Sequence, residues 1–327
     1  MKKLLIFVSL IIALPLFFVC CTEAKSTSTP NETAPINVSN VAVDTPQSDD
    51  KAIPISGLEI PKTAPKDKII SHYGYTLLLN ATHKQATWVA YELSKEETTK
   101  QVDRTNKFIA DPKANSEIAD NQDYAGSGYD RGHLAPAGDM SWSATSMEES
   151  FYYSNMSPQQ PSFNRGIWKK LEERVRTWAI ENSALYIVTG PILTAGLSTI
   201  GEHQISVPKY YYKVILDYTE PELKGIGFII PNKGSQDSLQ AYTVSIDSVE
   251  RATGIDFFPG LPDNQEKTIE RSVCKSCWSW STVTSRSATS ATQNASATTA
   301  QCSGTTKAGN RCKRMTTNAS GMCSQHE

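Results

Sequence analysis

The chain has 327 residues, 39% hydrophobic and 20% charged, the balance of an ordinary globular protein with room for one large domain and extra segments. Its formal net charge of −2 provides no global basic field. That argues against a protein holding nucleic acid through many diffuse phosphate contacts; any such recognition must be local, or a metal must supply the positive charge.

In chain order, Lys2 and Lys3 precede the apolar run "LLIFVSLIIALPLFFV", interrupted only by Ser9 and Pro15. The run is too short and too N-terminal for an ordinary membrane span, so residues 1–21 are expected to be a targeting signal. It ends at Cys20-Cys21 and turns polar at once. One reading is a bacterial lipoprotein signal with Cys21 lipidated, Cys20 being the alternative, although Phe18 and Val19 stand where a small residue is usual. The other is a plain secretory signal with incidental cysteines. Both imply export, to the periplasm or cell surface, where disulfides persist; the first adds a lipid anchor in a membrane.

Residues 22–65 are rich in Ser, Thr, Pro, Asn and Asp without apolar period, and are expected to be a disordered, solvated tether. The folded part is expected over 66–280. "YTLLLN", "ATWVAYEL", "ALYIVTGPIL", "YYYKVILDY" and "KGIGFIIP" have the composition of strands. "SATSMEESFYYSN", opened by Ser143, has helical period. So does "NRGIWKKLEERVRTWAIEN", with Ile167, Trp168, Leu171, Val175, Trp178 and Ala179 on one face. Residues 238–258 are expected to hold a strand and then a short helix. The mixture indicates an α+β fold.

Between these elements lies "YAGSGYDRGHLAPAGDM", where four glycines surround Asp130-Arg131-Gly132-His133. A packed strand needs no such quartet; a site that handles phosphate uses an acid, a base, an imidazole and close-approaching backbone. A local Asp and Arg pair with a packed histidine is the structural alternative. Downstream, Asn164, Trp168 and Glu172 are spaced i, i+4, i+8 along one inclined row of a helix. Trp168 would anchor the row, with Asn164 and Glu172 near one another at the edge of the buried face. An N-terminal cap and a solvated glutamate would also fit. An amide oxygen is a hard, neutral ligand for Mg²⁺, and a nearby carboxylate orients the ion's waters. Upstream, Arg104 has no evident partner, and an exposed surface arginine is the plain alternative.

"GSGYDRGHLAPAGDM", "SNMSPQ" and "FNRGIWKKLE", in that order, resemble the DNA/RNA non-specific endonucleases of the endonuclease G type. "ATWVAYEL", "DRTNKF", "LYIVTGPI", "VPKYYYKVILD" and "GIGFIIPN" extend the resemblance over roughly residues 66–280. It implies a ββα-metal (His-Me finger) nuclease core with a central antiparallel sheet and flanking helices. It implies an enzyme that hydrolyses phosphodiester bonds of DNA and RNA with Mg²⁺, Mn²⁺ being an alternative ion. By position, His133 matches the general base and Asn164 the direct metal ligand. Glu172 matches the carboxylate that orients the ion's water shell, and Arg104 the arginine that stabilises charge on the phosphate. Arg131 would help position phosphate, Asp130 would be a buried orienting residue, and Asn155 would hold the site together. A catalytically inactive nucleic-acid-binding protein of the same fold is the alternative.

Cys274 and Cys277 form C-x-x-C, read as a tight disulfide over half of a metal site or two free thiols. Residues 281–300 form a Ser/Thr/Ala-rich linker. In 301–327, Cys302, Cys312, Cys323 and His326 make up a tetrahedral Zn²⁺ set; a disulfide with one spare cysteine is the other reading. Lys307, Arg311, Lys313 and Arg314 make this tail basic.

Overall fold

A computed structural model describes residues 55–114, 118–220, 222–280, 300–301, 303–305 and 315–316. The expected signal with Cys21, the tether up to residue 54, the linker from residue 281 to 299, and Cys302, Cys312, Cys323 and His326 lie outside the described residues.

Seven strands form one antiparallel sheet. Those named first are β1 (Ile69–Ser71), β2 (Thr76–Asn80) and β3 (Gln85–Ser94). The short helix α1 (Asn121–Tyr124) leads to a separate hairpin of β4 (Asp130–His133) and β5 (Met156–Gln159), with α2 (Ala144–Glu149) between its strands. A kinked turn over Phe163–Trp168 then opens α3 (Lys169–Asn182). The chain returns to the sheet as β6 (Ala184–Pro191), makes the small hairpin β7 (Thr199–Ile200) and β8 (Ile205–Ser206), and re-enters as β9 (Tyr210–Asp217), β10 (Lys224–Pro231) and β11 (Thr243–Val244). Helices α4 (Ile246–Thr253) and α5 (Asp263–Arg271) follow. The order across the sheet is β1-β2-β3-β6-β9-β10-β11.

The long strands read as apolar runs because both faces of the sheet are covered. In β3, Val89, Tyr91 and Leu93 join one core with α3, while Trp88 and Ala90 join a second core with α4 and α5. The same alternation in β9 sends Tyr211 and Ile215 to the first core and Tyr212, Val214 and Leu216 to the second. Trp168, Leu171, Val175 and Trp178 are fully buried, each stabilising the α3 face by roughly 1.5–3 kcal/mol relative to exposure. The Trp178 ring packs on Trp278 at 4.6 Å between centroids and donates its indole N–H to the Ser279 carbonyl, which fixes the segment after the Cys274–Cys277 disulfide.

Several sequence expectations change. Residues 55–65 are not free tether: Leu58 is buried in the second core and the Lys62 backbone N–H donates to Asp256. The Asp130–His133 tetrad is a short strand, its residues paired with Met156–Gln159. The expected helix over 143–155 ends at Glu149 and gives way to a single turn at Tyr153–Asn155. The expected continuous helix over 164–182 is broken at Gly166, whose φ of −108° and ψ of −110° are non-helical. Asn164 and Glu172 therefore belong to two differently wound segments and not to one regular helical row. A helix signal was absent at α5, where apolar Ile269 is the one strongly buried hydrophobic residue.

Candidate active site

The β4–β5 hairpin followed by α3 forms a ββα unit beside the sheet. One cleft of about 430 Å³ is lined by Arg104, Arg131, His133, Asn164 and Glu172 together with Arg165, Lys169 and Arg176. Residues spread over 73 positions of sequence thus meet at one place. The basic lining residues are Arg104, Arg131, Arg165, Lys169 and Arg176, against the single carboxylate of Glu172. Arg165, Arg176 and Lys169 are paired with Asp130, Asp139 and Glu173, which leaves Arg104 and Arg131 as the lining cations not tied to a carboxylate.

His133 ends β4 and is buried, with Phe151 edge-on to its ring at 4.8 Å and Phe108 at 5.8 Å. Burial first, and the Arg104 charge second, push its pKa down to about 3, against a hydrogen bond to the Arg131 backbone. The imidazole is therefore neutral at neutral pH, and its Nε2 is a buried atom without a protein partner. Gly132 lets this strand close on β5: a Cβ there would lie 2.2 Å from the Gln159 side chain. Asn155 fixes the chain just beyond. Its Oδ1 accepts from the Ala135 N–H at 2.9 Å, and its amide donates to the carbonyls of Ala135 and Ser150. Asn155→Ala would leave these buried groups unpaired, and a loss of about 1–3 kcal/mol in denaturant-derived stability is expected.

Asn164 and Asp130 are joined directly. The Asn164 amide N–H donates to Asp130 at 2.9 Å, so its carbonyl oxygen is the atom left to act as an acceptor in the cleft. Asp130 also accepts two hydrogen bonds from the Arg165 guanidinium, at 2.8 and 2.6 Å. It was expected to be buried; it is only half-buried, because its partner Arg165 is itself exposed. Its orienting contact is to Asn164. The Arg131 guanidinium lies over Phe108 at 5.0 Å and Tyr124 at 5.8 Å, and donates to Asn121. Arg104 lies over Phe151 at 4.9 Å and donates to Asn106 at 2.7 Å. These flat aromatic and amide supports hold both guanidinium groups at the mouth of the cleft.

Glu172 is raised above its ordinary value by burial, against the attraction of Lys213, with Asp139 adding to the rise and Arg176 and Arg104 opposing it. Three of these neighbours escaped the sequence reading. Lys213 is fully buried in β9, its Nζ 5.1 Å over the Trp168 ring and without a hydrogen-bond partner. Arg176 donates to Asp139 at 2.6 Å, and Asp139 also accepts from the Tyr91 hydroxyl. Gly138 gives Arg176 room, since a Cβ there would lie 2.9 Å from its guanidinium. The available signals were a lone lysine inside "YYYKVILD" and an arginine four residues after Glu172.

The lining fits a hard divalent cation with few protein ligands: a free amide oxygen, one carboxylate and an open, polar cleft. Among the described residues, no group of three acidic, His or Cys ligands gathers there. Those groups that do gather lie elsewhere, at Asp120, Asp123 and His203 and at Asp247, Glu250 and Glu270.

The neutral His133 has a consequence for stability. Its folded pKa lies below its unfolded value, so between pH 6.5 and about 3 the unfolded chain binds the proton and the native chain does not. The stability it permits at neutral pH is lost on acidification through that window. Urea unfolding at pH 7 and pH 4.5 should show a smaller acid-induced loss for His133→Gln than for the wild type.

Residues 59–264 match the family model described as DNA/RNA non-specific endonuclease. The mitochondrial nuclease EXOG of Danio rerio is 36% identical over 208 residues, covering 58% of this chain and 61% of that protein. A nuclease of Nostoc sp. is 32% identical over 231 residues, covering 67% of this chain and 83% of that protein. A chain in the crystal structure of an EndoG/EndoGI complex superposes with a TM-score of 0.59 at 32% identity, covering 63% of this chain and 90% of that one. The chain spans about three fifths of the length of the zebrafish nuclease. With more than half of its length matched by the family model, this chain belongs to the DNA/RNA non-specific endonuclease family.

Proposed function

We propose that the chain is a metal-dependent endonuclease that hydrolyses phosphodiester bonds of DNA and RNA with little sequence preference. The observation that carries the reading is the unpartnered Nε2 of neutral His133 in a cleft with Arg104, Arg131, Asn164 and Glu172. His133 accepts the proton of the attacking water, for which a neutral imidazole is required. Arg104 and Arg131 hold the phosphate oxygens and stabilise the charge that builds on them. Asn164 offers its carbonyl oxygen to the ion, with Asp130 fixing the amide's orientation. Glu172 orients the water around that ion. Mg²⁺, or Mn²⁺ in its place, supplies Lewis-acid stabilisation of the departing oxygen when bound. The basic lining engages backbone phosphate, a contact that carries no base information.

The reading extends to location and tail on sequence support alone. Lys2, Lys3 and the apolar run before Cys21 support export with a lipid anchor. Cys302, Cys312, Cys323 and His326 support a Zn²⁺ module in the basic tail. Among the described residues, no helix is long and apolar enough to cross a membrane.

Digestion of plasmid DNA, an RNA transcript and a small phosphodiester by the purified chain tests the substrate class. Both polymers should be cut internally in Mg²⁺ and left intact after chelation. Cleavage of the small diester alone would reject a polymer substrate.

A further inference from the structure

The second acidic cluster lies apart from the cleft, between α4 and α5. Asp247 and Glu250 stand three residues apart on α4, and Glu270 comes from α5; one carboxylate oxygen of each lies within 4.8 Å of the other two. Acidic clusters on a surface are common, but Glu270 is not a surface residue. It is 5% exposed, and its Oε1 is buried with no hydrogen-bond partner. A buried carboxyl oxygen without a hydrogen-bond partner is costly unless a proton or a cation compensates it.

The surrounding cations do not supply that compensation. Lys62 is paired with Asp256 at 2.8 Å, and Arg251 donates to Ser248 at 2.7 Å while only partly offsetting Glu250. Glu266 and Asp256 add further negative charge around Glu270. The framework is rigid. Ser245 caps α4, Gly254 ends it, and Ile246, Val249 and Ile269 anchor both helices in the second core. By contrast, the Asp120, Asp123 and His203 cluster is closed on itself. Asp123 accepts from the His203 and Asp120 backbones and pairs with the His203 ring at 2.9 Å.

We propose that Asp247, Glu250 and Glu270 form a divalent-cation site of calcium type that clamps α4 to α5 on the face of the sheet away from the catalytic cleft. Three carboxylates offer up to six oxygens from two helices. That number and spread suit the larger coordination shell of Ca²⁺ better than the tight octahedron of Mg²⁺. The ion would satisfy the buried Oε1 and relieve the mutual repulsion of the three acids. Its expected role is structural, fixing the C-terminal helices to β10, against which both pack.

Thermal unfolding of the full chain, freed of metal by chelation and titrated with CaCl₂, tests this. Because the catalytic cleft can also take an ion, the titration is repeated on Asn164→Ala. Calcium at ten times its Kd should raise Tm by about 3–6 °C in both proteins, with a smaller rise in Mg²⁺. Glu270→Gln and Asp247→Asn should each abolish most of the rise. If Glu270→Gln does not fold, Asp247→Asn, at a half-buried position, gives the answer. The proposal is overturned if the wild type shows no shift up to about 10 mM Ca²⁺, well above the weak extracellular range. It is also overturned if the shift vanishes in Asn164→Ala, if both site variants keep it, or if Mg²⁺ matches it.

Discussion

His133→Ala is expected to lower the rate of polymer cleavage by about 10²–10⁴-fold, the usual contribution of a positioned general base. The expectation rests on three structural facts. The ring is buried between Phe108 and Phe151, so solvent does not compete for it. Its Nε2 has no protein partner and is left to accept from a reacting water. Its pKa is pushed down to about 3 by burial and by Arg104, so it stays unprotonated across the neutral range. A bound phosphate would offset the Arg104 charge and return basicity to the ring, which suits a base that must be neutral before the reaction and cationic after it. The variant should fold, since Asn155 and the β4–β5 pairing fix this backbone without the imidazole. Far-UV circular dichroism would check that, alongside the initial rate of plasmid nicking.

Asn164→Ala is expected to abolish most metal-dependent activity, by more than the roughly 10–100-fold that loss of an outer partner of a metal ligand costs. The amide nitrogen is already committed to Asp130, so the carbonyl oxygen is the part that alanine removes from the cleft. The diagnostic readout is the metal titration. Activity of the variant should require much higher Mg²⁺, whereas a residue that merely supported the backbone would lower the rate without moving the midpoint. Unchanged activity with an unchanged Mg²⁺ midpoint would remove Asn164 from the ligand role.

Much of this site was legible because its chemistry is concentrated in unusual residue combinations. "YDRGH" placed an imidazole and a guanidinium next to a glycine that only a close strand crossing requires, and Gly132 against Gln159 is that crossing. The sheet strands were legible from apolar runs, since β3, β9 and β10 are covered on both faces. The kink at Gly166 was not, because the apolar period on either side continues through it and a single glycine is tolerated in many helices. Lys213 was not, because a lysine in a strand reads as an edge or solvent-facing residue. Only the pairing of β9 between β6 and β10 buries it beside Glu172. Leu58 was missed in a Pro- and Lys-rich stretch whose composition resembles tether, because one apolar residue can dock such a segment without any local period.

The most direct measurement pairs cleavage with binding for the wild type and His133→Ala, on one labelled duplex in Mg²⁺. The wild type should cut the duplex, and His133→Ala should retain it with similar affinity while leaving it intact, since the arginine-lined cleft is unchanged. Retention without cleavage by the wild type, or equal cleavage by both proteins, would contradict a His133-dependent nuclease.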